Sequence, residues 1–76
     1  MNKDRRLALQ IIAQTLESAK GGIETFRDEE QEYHDNMPES LQGGEKGDQA
    51  DNAIVAMDEA MDSLDSAIQS LKTAVE

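Results

Sequence analysis

Apolar residues recur along the first half of the chain at steps of three and four: Leu9, Ile12, Leu16, Ala19, Ile23, Phe26, Tyr33 and Met37, with Glu30 the one polar interruption. The second half repeats the pattern without a break in Ala50, Ile54, Met57, Met61, Leu64, Ile68, Leu71 and Val75. A sustained repeat of about 3.5 residues marks a coiled-coil seam, and strand alternation fits neither half. Helix 1 is predicted over about residues 3–37 and helix 2 over about 45–75, joined by a connector over 38–44. Pro38 disfavours helical geometry at Met37 and stops helix 1, with Asp35 and Asn36 as its end residues. Pro38 can open a short turn to Gln42, with Leu41 folded back as a lid on the seam. Gly43, Gly44 and Gly47 then break that turn and admit positive backbone angles. Asn2 is the expected N-cap of helix 1, with Asp4 in its first turn. Glu45, Asp48 and Asp51 favour the positive end of the helix 2 dipole.

A short connector makes consecutive helices antiparallel neighbours. The two stripes then meet at a single register, in which facing position numbers add to 87: Met37 with Ala50, Tyr33 with Ile54, Phe26 with Met61, Ile23 with Leu64 and Ile12 with Val75. The fold class expected is therefore all-α, an antiparallel two-helix coiled-coil hairpin forming one domain over residues 1–76. Gly21 and Gly22 argue against an unbroken helix 1, since each interior Gly costs roughly 0.8–1 kcal/mol relative to Ala. The heptad phase passes straight through them, so one continuous helix is expected, weakened or bent there. Gly22 is either a tolerated weak spot or a place where another backbone comes close.

A lone hairpin of this length has little core. Ala53, Ala60, Ala67 and Ala74 form a second seven-residue repeat beside the helix 2 stripe, and helix 1 adds Leu7, Ala8, Ile11 and Ala13 outside its own. Small residues in register allow a further helix to approach, so dimerisation into a four-helix bundle through the Ala column is expected. The plainer account of that column is good helix formers on a solvated flank.

Composition sharpens the picture. Seven Lys and Arg against 17 Asp and Glu give a net charge of −10, and Cys and Trp are absent. The lack of thiols removes disulfides, cysteine metal sites and redox motifs. The acidic balance removes direct nucleic-acid binding. No apolar run approaches a membrane span or a signal-peptide core, so a cytoplasmic protein is expected. Charge is also segregated: residues 1–27 carry net +2 and residues 28–76 net −12. Asp28, Glu29, Glu32, Asp35, Asp51, Asp58 and Glu59 occupy no stripe position and gather toward the connector end. This is either a partner-binding acidic face, with a basic protein or a nucleic-acid-binding factor as its target, or a solvated face that serves solubility.

No catalytic or metal constellation emerges. His34 lies four residues after Glu30, but the Glu-x-x-His pair of bundle metal sites would need a Glu where Gln31 stands, and there is no second His. The Asp48 to Asn52 stretch lacks calcium-loop spacing, and no phosphate loop or activated Ser is present. Neither an enzyme nor a cofactor is expected. Glu30 either pairs with Arg27 or Lys46 and fixes register, or extends to solvent along its stem.

The block from Asp28 to Asp48, centred on Asn36-Met37-Pro38-Glu39-Ser40-Leu41-Gln42, followed by Met57-Asp58-Glu59-Ala60, resembles a group of small acidic helical proteins of bacteria and their phages. The resemblance covers roughly residues 28–68. It implies a hairpin, a cytosolic setting and a phage context, in which an acidic protein acts as an inhibitor or nucleic-acid-mimicking decoy on a host factor. It carries over no catalytic residue. The alternative is a structural or assembly protein whose charge is only solubilising.

Overall fold

The computed structural model describes every residue from Met1 to Glu76 and is all-helical, with α1 over Lys3–Asp35, a single-turn α2 over Glu39–Gln42 and α3 over Glu45–Ala74. The molecule is a rod of 59 × 14 × 13 Å. Its length follows from α1, whose 33 residues at about 1.5 Å each extend about 50 Å. No helix is long and apolar enough to cross a membrane.

The helix ends follow the local chemistry. Asn2 caps α1, its Oδ1 accepting from the Arg5 N–H at 2.8 Å. At the other end Asn36 caps α1, its N–H donating to Glu32 O at 3.0 Å, two residues before the limit expected from the stripe. Pro38 is extended, with ψ 142°, and begins α2. The Gln42 amide then reaches back, donating to Met37 O at 3.0 Å and His34 O at 3.4 Å. Met37 O lies just past the end of α1, and His34 O also accepts from the Met37 N–H at 3.1 Å. Gln42 therefore pins the connector to α1. Leu41, expected as a lid on the seam, stays 53 % exposed and instead lines a surface hollow with Tyr33, Met37 and Lys46.

The glycines act differently from expectation. None has a positive φ. Gly47 lies within α3 and is buried, and a Cβ there would overlap the Gln42 carbonyl and come within 2.9 Å of its Cα. Its role is close approach between α3 and the connector rather than backbone freedom. Gly21 and Gly22 lie within an unbroken α1, and a Cβ on either meets nothing within 4 Å.

Packing joins α1 to α3. As position rises along α1 it falls along α3: Lys20 meets Asp65, Arg27 meets Asp58 and His34 meets Asp51. The α3 stripe behaves as its periodicity indicates, with Ala50, Ile54 and Ile68 buried and Met57, Met61, Leu64, Leu71 and Val75 half-buried. On α1, only the column Leu9, Leu16, Ile23, Glu30 and Met37 is inward as expected. Its companion is Ala13, Lys20, Arg27 and His34, not Ile12, Ala19, Phe26 and Tyr33. A residue four positions on lies about 40° to one side of the shared column and a residue three positions on about 60° to the other. The helix is thus rotated by about 50° from the setting that the apolar stripe suggests. Phe26 is left 65 % exposed, Tyr33 50 % and Ile12 48 %.

Two glycine substitutions should move stability in opposite directions. Gly21→Ala fills empty space in a helix interior and should stabilise by about 0.8–1 kcal/mol. Gly47→Ala must displace the Gln42 backbone and should destabilise by about 1–3 kcal/mol, the usual range for overpacking. Urea denaturation of the two variants beside the native chain measures both.

Candidate functional site

The rotated setting of α1 creates an ordered line of charge along one edge of the helix pair. Lys20, Arg27 and His34 are spaced by seven on α1, and Asp65, Asp58 and Asp51 are spaced by seven on α3. Lys20 Nζ donates to Asp65 Oδ1 at 2.7 Å, and Arg27 Nε to Asp58 Oδ1 at 3.0 Å. Arg27 Nη1 also lies 3.7 Å from Asp28 Oδ1. Position numbers in each α1–α3 pair of the line add to 85. The value sits beside the apolar register of 87 because the ions lie on the rim of the seam rather than at its centre. Beyond them the polarity reverses, with Lys72 Nζ 3.4 Å from Glu17 Oε1.

Long basic side chains suit this edge. Their methylene stems cover the half-open seam while the charged heads stay wet. The hydrogen bond that Lys20 donates to Asp65 is the main reason its ammonium is held above the ordinary lysine value, and the one Arg27 donates to Asp58 does the same for its guanidinium. A raised lysine value means that the contribution to stability is complete at neutral pH and fades only as alkaline pH rises through that value.

His34 is the most enclosed member, its side chain 17 % exposed. Nε2 is 3.3 Å from Asp51 Oδ1 and Nδ1 is 3.6 Å from Asp35 Oδ1. Nδ1 is buried and makes no hydrogen bond. The imidazole sits where α1 ends, under the connector that Gln42 ties down.

The acidic residues singled out from the sequence therefore do not form one uniform face. Asp51 and Asp58 turn to the seam edge and meet His34 and Arg27. Asp28 flanks Arg27, and Asp35 lies beside His34 while accepting from the Gln31 amide at 3.0 Å. Glu29, Glu32 and Glu59 are exposed and make no ion pair. Glu30 is half-buried and pairs with neither Arg27 nor Lys46. In the Ala column, Ala60, Ala67 and Ala74 are exposed and Ala53 is half-buried at its connector end. The charged ladder was readable as two sets of heptad-spaced opposite charges, but only by reading both helices together.

Comparison with known proteins returns nothing: no family model, no curated protein and no solved structure matches this chain.

Exchanging charges tests the ladder. Arg27→Asp alone should lower the thermal midpoint, since it sets an Asp against Asp58. Adding Asp58→Arg restores the opposite pair and should recover most of the loss. Thermal melts of the two single variants and the double variant measure the coupling. Equal losses that simply add would show that the pair contributes nothing to stability.

Proposed function

We propose that the chain is an antiparallel helical hairpin that dimerises as a four-helix bundle and serves as an acidic protein-binding module in the cytoplasm. In this reading its target is a basic surface on a macromolecular partner, and the protein works as a phage-type inhibitor or nucleic-acid-mimicking decoy on a host factor. The supporting observation is the distribution of unpaired acid. Glu29, Glu32 and Glu59 are exposed without a cation partner toward the connector end, in a chain whose net charge is −10. Asp28 and Asp35 extend that surface, with side chains 67 % and 64 % exposed. Carboxylates of this density present a field that steers a basic partner and is screened by salt. The pairing of Asp51, Asp58 and Asp65 within the chain favours a second reading, a structural assembly protein in which charge serves the fold and solubility.

Neutralising Asp28, Glu32, Asp35 and Glu59 to Asn or Gln separates the two. Mutual repulsion falls, so stability should rise slightly or stay level. Under the decoy reading, capture of a host protein from lysate by the immobilised chain should be strong at low salt, weak at high salt and abolished by the fourfold variant. Capture that survives neutralisation would leave the structural reading standing.

A further inference from the structure

The edge opposite the ion-pair ladder is apolar and nearly free of acid. Ile12, Ala19, Phe26 and Tyr33 lie on the side of α1 away from Lys20, Arg27 and His34. By the same helical geometry the Ala column lies on the side of α3 away from Asp51, Asp58 and Asp65. The two columns share this edge, for Tyr33 and Lys46, which begins the Ala column, line one surface hollow. The outer two columns on each helix run at seven-residue steps from Arg5, Ala8, Lys46 and Gln49 and hold eighteen positions, of which only Glu29 is acidic. At 17 acidic residues in 76, about four would fall there by composition alone.

This edge is open, on a rod that exposes more surface than a compact chain of its mass. The chain exposes 5457 Å², against about 4,600 Å² for a compact monomer of its mass. The excess of about 800 Å² is spread over the whole rod and is comparable to one partner's share of a standard interface.

We propose that a second copy of this chain covers the edge, α1 against α1 and α3 against α3, with the two connectors at opposite ends of the bundle. The proposal rests on the dimeric reading above and supplies its face and orientation. Charge selects the orientation. The half of the rod formed by residues 23–63 carries net −11, and the half formed by residues 1–22 and 64–76 carries net +1. A two-fold axis along the rod would set one −11 half beside the other. An axis across the rod sets each −11 half beside a +1 half, and brings Arg5 level with the second copy's connector.

The register supports the same axis. If it passes between Gly22 and Ile23 on α1, Ile12 comes level with the second copy's Tyr33 and Ala19 with its Phe26, each large ring facing a smaller side chain. On α3 the corresponding point lies between Ser63 and Leu64, where Ala60 comes level with the second copy's Ala67 and Ala53 with its Ala74. The two crossing points add to 86 by position number, between the ion-pair value of 85 and the apolar register of 87. Gly22 then falls at the closest approach of the two α1 helices, and the space open around it is where the second backbone runs.

The native chain has no cysteine, so single-cysteine variants give an unambiguous test. Sedimentation of the native chain should give twice the 8.4 kDa chain mass. Under mild oxidation Gly22→Cys and Ser63→Cys should each form a covalent dimer, and Glu24→Cys, on the ladder edge, should not. A spin label at Leu41→Cys leaves the interface untouched and reads the orientation by pulsed dipolar spectroscopy. Connectors at opposite ends of a 59 Å rod give a long inter-label distance, and connectors at the same end give a short one. A monomeric native chain overturns the dimer reading itself. A dimer with a short Leu41→Cys distance, or with crosslinking at Glu24→Cys, overturns the face or orientation proposed here and leaves dimerisation intact.

Discussion

The setting of α1 about its own axis decides the rest of the structure. The helix offers three adjacent seven-residue columns, and a single partner helix covers two. The middle column of Leu9, Leu16, Ile23, Glu30 and Met37 faces α3 in either setting. The remaining contact goes to Ala13, Lys20, Arg27 and His34, with an aspartate opposite each of the last three. Burying Phe26, Tyr33 and Ile12 instead would return about 1.5–3 kcal/mol for each side chain fully removed from water. It would also strand the Asp column with no cation. Half-exposed ion pairs contribute up to about 1 kcal/mol each, so the ladder offsets only part of that burial, and the apolar side chains left outside the seam stay open to a further contact.

α3 was legible because its pattern is unbroken: its apolar stripe at 50, 54, 57, 61, 64, 68, 71 and 75 is the face it turns inward. The Asn2 cap and the stop at Pro38 were legible because they depend only on local backbone chemistry. The face of α1 was misjudged by one column, since a rule that ranks positions by hydrophobicity prefers Phe26 to Arg27. Cross-helix charge complementarity lies outside any single-helix pattern. Gly47 was misread for a related reason: a glycine beside a turn suggests unusual backbone angles, while its function here is set by the Gln42 carbonyl lying against it.

The same accounting redistributes the acid. Of the seven acidic positions singled out, Asp51 and Asp58 belong to the ladder, and Asp28 and Asp35 stand beside Arg27 and His34. Glu29, Glu32 and Glu59 remain without a cation. A count of carboxylates therefore overstates the surface open to a basic partner, and the internally paired ones can be subtracted only by reading the heptad-spaced charges of both helices together.

Each edge of the helix pair consequently has its own chemistry. On the ladder edge, opposite charges meet within the chain, so a second copy would have to compete for Asp65 and Asp58 with cations already hydrogen-bonded to them. On the opposite edge nothing charged has to be displaced along most of its length, and aromatic rings stand beside a column of alanines. Desolvating a paired ion costs far more than desolvating alanine. The setting of α1 that builds the ladder thus also determines which edge is cheap to cover, and the aromatic residues left outside the seam are the ones that would make covering the other edge favourable.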